Sequence, residues 1–126
     1  THVNRLLRQL RPRKTVSERV RRIVQKQLPR TPDVDRVASA MHMSRQTLYR
    51  KLKKEGESFQ SLAETVRRER ALQYVAEGEY GLTEVAFLLG FSELSAFSRA
   101  FKRWTGESPG HYRSRHREER ASTMAD

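Results

Sequence analysis

Two stretches of this chain carry the same arrangement of charged and apolar residues. In TLYRKLKKEGESF (47–59), Leu48, Arg50, Leu52 and Lys53 stand at the internal spacing of Phe97, Arg99, Phe101 and Lys102 in AFSRAFKRWTGESP (96–109), and both stretches run into Gly-Glu-Ser. On a helix the apolar residues four apart share one face, which leaves the cations on another. The chemistry offered is contact with a polyanion: Arg presents a planar fork of donors that matches a guanine edge, while Lys is a point charge suited to phosphates. Ser or Thr near a helix start with Arg one turn further in is the set of groups that approaches base edges in a major groove while cations flank the phosphates.

Each stretch is preceded by a short apolar segment with a small residue, Ala38 or Ala86, and then a tight turn. A small side chain lets two helices cross closely, and Leu48 or Phe97 pins the second helix at that angle. This is the pattern of a helix-turn-helix, present twice. In the first turn His42 stands where Gly often does, and His tolerates a left-handed backbone better than most residues.

The flanking elements follow from caps and period. Thr15 to Glu18 has capping-box spacing ahead of Val16, Val20, Ile23, Val24 and Leu28, which recur on one helical face until Pro29. Asp33 can cap a second helix, Ser44 a third over 44–55, and Ser58 a long fourth to residue 77, before Gly78 and Gly81. On the fourth, Phe59, Leu62, Val66, Leu72 and Val75 are expected on one side and Arg67, Arg68 and Arg70 on the outer side, with Glu64 and Glu69 as partners for Arg67 and Arg70. A fifth helix covers 82–89; Ser92 is expected to cap a sixth over 93–104; Ser108-Pro109 starts a short seventh. Trp104 and Tyr112 bracket that last turn and are expected to pack in a small core.

The expected organisation is a basic linker end at 1–14, a first helix-turn-helix subdomain at 15–57, a linker helix at 58–78, a second subdomain at 79–114 and a disordered tail at 115–126. No period-two alternation appears, so the fold class is all-α.

Composition sets the partner. With 26 Lys and Arg against 15 Asp and Glu, the 126 residues carry a formal charge of +11, and nucleic acid is the first expectation. No apolar run approaches the roughly 20 residues of a membrane-spanning helix, and no signal-peptide pattern opens the chain, so cytoplasmic residence at the nucleoid is expected. The chain begins at Thr1, which suggests excision from a longer protein. With no Cys and no paired ligand spacing among His2, His42, His111 and His116, neither a zinc site nor a cofactor is expected. Ser44, Ser95 and the histidines form a nucleophile and base only on paper, since no nucleophile elbow or Gly-rich phosphate loop accompanies them. An enzyme is not expected.

Over residues 16–113 the chain resembles the DNA-binding domain of the AraC/XylS family of bacterial transcription regulators. The resemblance is carried by EVAFLLGFSELSAFSRAFKRWTGESPGHYR, with support from MSRQTLYRKLKKEGESF and VRRERALQYV. It implies two homeodomain-like helix-turn-helix subdomains, about seven helices in all, on a rigid linker helix, reading successive major-groove segments of double-stranded promoter DNA. It implies base contacts by Arg45, Gln46, Tyr49 and Arg50 in the first repeat and by Leu94, Ser95, Ser98 and Arg99 in the second. Leu94 departs from the polar residue often found there and offers only apolar contact, as to a thymine methyl. Phosphate contacts are expected from Ser44, Thr47, Lys51, Lys53, Lys54, Ser92, Lys102 and Arg103. Family members commonly carry an effector-binding or dimerisation domain ahead of this one, and many activate transcription through RNA polymerase. The alternative left by composition is a basic module that binds nucleic acid without reading sequence, in which Arg50 and Arg99 are solvated surface cations.

Overall fold

The structure, a computed structural model, describes residues 15–125; the expected linker end at 1–14 lies outside them. Seven helices follow in order: α1 (Val16–Gln27), α2 (Val34–Ala40), α3 (Arg45–Lys54), α4 (Phe59–Glu77), α5 (Leu82–Leu88), α6 (Leu94–Thr105) and α7 (Pro109–Ala125), with no strand among the described residues. Short oxygen-bearing side chains start the first four. Thr15 accepts from the Glu18 amide, Asp33 from those of Asp35 and Arg36, Ser44 from that of Thr47 and Ser58 from that of Ser61. Such a cap is worth about 1 kcal/mol, and it fixes where each helix begins. Gly78 and Gly106 end α4 and α6 in the left-handed conformation.

The N-terminus of α1 is secured from a distance. Glu55, just past the end of α3, accepts from the Val16 and Ser17 amides at 3.0 and 2.9 Å and from the Ser17 hydroxyl at 2.7 Å. The carboxylate that completes the cap is therefore Glu55 rather than the Glu18 of a local capping box, and it ties the end of α3 to the start of α1.

Two cores form. Val20, Val24, Val37, Ala38, Met41, Leu48 and Leu52 join Phe59, Leu62, Ala63 and Val66 of α4 in the first. Val85, Ala86, Leu89, Phe97 and Phe101 join Ala71 and Val75 of α4 in the second. At 3.6 residues per turn, the two sets on α4 point in directions roughly 150° apart. The expected single apolar face of the linker helix is thus corrected: the helix changes side between Val66 and Ala71, and each subdomain packs on its own side of a shared wall.

Two further expectations change. Ser92 does not cap α6. The second turn is one residue longer than the first, and Glu93 becomes the cap residue, with no side-chain hydrogen bond. Nor is the chain frayed from Arg115 onward, since α7 continues to Ala125. Residues with little to bury pair instead: Arg115 donates to Glu107 at 3.0 and 2.8 Å and to Glu119 at 3.0 Å, while Tyr112 stacks on His116 at 4.2 Å. Arg113 reaches back to the Val75 carbonyl at 3.1 Å and satisfies an acceptor in the last turn of α4.

The Ser17 hydroxyl and the two amides hold the Glu55 carboxyl below the ordinary glutamate value of 4.5. Its contribution to stability is complete above the unfolded-state value and fades as the pH falls through the depressed one. Glu55→Gln should lower the urea midpoint at pH 7 and make its decline between about pH 5 and 3 shallower than in the parent. Parallel acid limbs in the two proteins would show that Glu55 is not the group responsible.

Candidate nucleic-acid interface

The second helices of the two helix-turn-helix units are α3 and α6, and the buried residues of each decide what the other faces present. With Leu48 and Leu52 fully enclosed, α3 turns Arg45, Gln46, Tyr49, Arg50 and Lys53 outward, all exposed. With Phe97 and Phe101 enclosed, α6 turns out Leu94, Ser95, Arg99 and Lys102, while Ser98 on the same side is half-buried. The turns that set these faces use left-handed backbone at His42 (φ 57°) and Gly90 (φ 83°). Tyr49 and Leu94 stand out as large apolar groups at 46% and 37% exposure.

Arg50, Lys51, Lys53, Lys54, Arg99 and Lys102 are exposed, and none forms an ion pair among the described residues. Three of the expected contact residues are engaged within the protein. The Arg45 guanidinium lies against Asp35 of α2 with Nε–H donating to Oδ1 at 2.7 Å and Nη2–H to Oδ2. Arg103 turns to α4 and donates to Glu64 at 3.1 Å, so its charge is already matched. The Ser44 hydroxyl accepts from the Thr47 amide and donates to Thr47 Oγ1 at 2.9 Å, so the hydrogen left for an outside acceptor is that of Thr47. Ser92 is exposed in the turn.

Glu64 also accepts from Trp104 Nε1 at 2.6 Å, and these two donors, Trp104 first, hold its carboxyl below the usual range. Trp104 therefore joins the second core by its ring and α4 by its N–H. Glu69 pairs with Arg21 of α1 at 2.8 Å. Neither acid pairs with Arg67 or Arg70, which corrects the expected partners.

Arg67 is not on an outer face. Half-buried, it donates through Nε to the Leu89 carbonyl at 2.9 Å and through Nη2 to the Gly90 carbonyl at 3.0 Å, with its guanidinium 4.5 Å from the centre of the Phe91 ring. Thr31, in the loop between α1 and α2, donates its hydroxyl to the same Gly90 carbonyl at 3.0 Å. The turn of the second helix-turn-helix is thus fastened to the linker helix and to a loop of the first. Sequence reasoning could not find this junction: Arg67 sits in VRRER among cations of identical type, and Thr31 carries no local signal. Among the described residues no cluster of His, Asp or Glu could hold a metal ion, and no helix is long and apolar enough to cross a membrane.

Two helix-turn-helix units with matching polar faces, on one shared helix, define a DNA-binding domain. A helix-turn-helix domain family matches residues 37–115, and the chain belongs to the AraC/XylS family of transcription regulators as their C-terminal DNA-binding domain. It is 40% identical over 95 residues to the ornithine utilization regulator of Pseudomonas aeruginosa, covering 75% of this chain and 28% of that protein. It is 38% identical over 101 residues to the transcriptional regulator VirS of Mycobacterium tuberculosis, covering 79% and 30%. The chain spans less than a third of the length of these curated relatives. Among solved structures, a DNA-binding transcriptional dual regulator from Escherichia coli K-12 superposes with a TM-score of 0.79 at 28% identity over 86% of this chain and 96% of that one. The DNA-binding domain of AdpA, solved in complex with a target DNA, superposes with a TM-score of 0.72 at 29% identity over 86% and 98%. The matched family is one of transcription regulators, and the described residues form its helix-turn-helix domain.

A Cβ at Gly90 would lie 3.0 Å from the Arg30 carbonyl oxygen and 3.1 Å from Arg67, whereas one at Gly106 would meet nothing within 4 Å. Both glycines have positive φ, so Ala carries a backbone cost of about 1–2 kcal/mol at either. Gly90→Ala should cost clearly more than Gly106→Ala in urea denaturation, because only Gly90 has neighbours that must move. Equal costs would remove the close approach from the account of the junction.

Proposed function

We propose that this chain reads promoter DNA in a sequence-specific manner, placing α3 and α6 in two adjacent major-groove segments on one face of the duplex. One observation supports this above the others: the unpaired cations Arg50 and Lys53 on α3 and Arg99 and Lys102 on α6 occupy equivalent positions on two helices that one junction holds together. A module that only attracts phosphate has no use for two matched, mutually fixed faces. α4 is about 28 Å long at 1.5 Å per residue, comparable to the roughly 34 Å of one duplex turn. Linking two weak readers raises affinity without any new contact.

Arg50 and Arg99 are the main base readers in this proposal, with Gln46, Tyr49, Ser95 and Ser98 beside them and Leu94 against a thymine methyl. Arg45 is the reader that carries a partner of its own. Lys51, Lys53, Lys54, Lys102 and Thr47 hold phosphates; Ser44 and Arg103 contribute less, since their groups are engaged inside the protein. The full-length protein, in this reading, adds an effector-binding or dimerisation domain and activates transcription by touching RNA polymerase.

A selection from random duplex DNA at near-physiological salt tests the reading. The expected result is an enriched site with two blocks about one helical turn apart, bound far more tightly than bulk DNA. On that site Arg50→Ala should relax preference at one base pair by about 1–3 kcal/mol. Lys53→Ala and Lys102→Ala should weaken all sequences alike and lower the salt slope by about 1, and Arg103→Ala should lower it less. Failure to enrich any sequence, with binding that follows salt alone, would leave the non-specific basic module.

A further inference from the structure

Asp35 is the second residue of α2, and Arg45 the first of α3. The cap at Asp33 accepts the Asp35 amide at 2.9 Å and so fixes the start of α2. The pairing between Asp35 and Arg45 is side-on: both carboxylate oxygens take donors from the Nε–Nη2 edge of the guanidinium. Both side chains remain more than half exposed, at 58% and 52%. The hydrogen bond from Arg45 holds the Asp35 carboxyl below its ordinary range, so the pair is ionised at neutral pH.

Two consequences follow from the donor count. A guanidinium has five N–H groups, and side-on pairing takes two, leaving the Nη1–Nη2 end of the fork. That end has the geometry that pairs with O6 and N7 of guanine. At the same time a carboxylate bound to the cation cancels most of its attraction for phosphates, and places a negative charge where a phosphate would have to approach. In a chain of net charge +11, non-specific attraction is abundant and discrimination is the scarcer property.

We propose that Asp35 is a positioning residue for specificity: it withdraws Arg45 from general phosphate attraction and presents the free end of its guanidinium to a guanine in the first half of the site. This rests on the sequence-specific reading proposed above. On a wrong base the pair contributes almost nothing, because its net charge is near zero and its remaining donors are unmatched. The ratio of specific to bulk affinity is therefore what Asp35 raises, at the expense of total affinity.

The test uses the whole 126-residue chain and the sequence it selects. Affinities of the parent, Asp35→Ala, Asp35→Asn, Arg45→Ala and the Asp35→Ala/Arg45→Ala double variant are measured on that site, on its single base-pair variants and on bulk DNA, with helical circular dichroism confirming that each is folded. The expected result is tighter binding of bulk DNA by both Asp35 variants, together with a loss of about tenfold in guanine preference at one base pair. Asp35→Asn keeps the shape of the side chain, so it decides the matter if Asp35→Ala unfolds. In the Arg45→Ala background the Asp35 substitution should no longer alter preference at that base pair. An Asp35 effect that is uniform across all positions, or that persists without Arg45, would overturn the proposal while leaving sequence reading intact. A parent chain that selects no site would overturn both.

Discussion

The Gly90 carbonyl is the point on which the arrangement of the two halves depends. It accepts one hydrogen bond from the linker helix through Arg67 and one from the first subdomain through Thr31, and it lies in the turn that orients α6. Burial lowers the Arg67 pKa below the usual arginine value, and the guanidinium by its chemistry keeps its charge at neutral pH. A half-buried cation without a direct ion pair is tolerated because two carbonyl dipoles and the face of Phe91 share its charge, with Glu64 one turn away adding a favourable field. The left-handed backbone at Gly90 has two roles, to make the turn and to admit the Arg30 carbonyl so closely that an added Cβ would lie 3.0 Å from its oxygen and force a shift.

The linker helix is a wall more than a spacer. Neither core is large, and each would be marginal on its own, since small domains bury too little surface. By giving Phe59, Leu62, Ala63 and Val66 to one core and Ala71 and Val75 to the other, α4 makes the folding of each half supply a rigid surface to its neighbour. The same division explains the arginines between the two apolar sets, because where the buried face changes side the helix has no single exposed face. Arg67 is used at the junction, and Glu69 across from it is taken up by Arg21.

Most of the local structure was legible from residue type. Thr15, Asp33, Ser44 and Ser58 begin helices because their side chains reach amides two or three residues ahead, a property of the residue and its spacing. The exposed faces of α3 and α6 followed from the apolar residues opposite them. What escaped has a common cause: charge does not reveal its partner. Arg67, Arg103 and Arg45 looked like Arg50, yet three-dimensional neighbours separate them, since Leu89 and Gly90, Glu64 and Asp35 lie far from them in sequence or across a turn. The expected cap at Ser92 failed for a different reason, a turn longer by one residue, and the expected fraying beyond Arg115 failed because paired charges support a helix that buries little.

Trp104, the chain's one tryptophan, bridges α6 and α4 through its N–H to Glu64 and rests 6.3 Å from Phe91, the ring beneath Arg67. Its indole is therefore a native optical probe at the seam between the two halves. Any loosening of α6 from the linker helix exchanges a carboxylate and an aromatic neighbour for water, so the indole emission of the unlabelled protein reports the state of the seam directly, with no second tryptophan to obscure it.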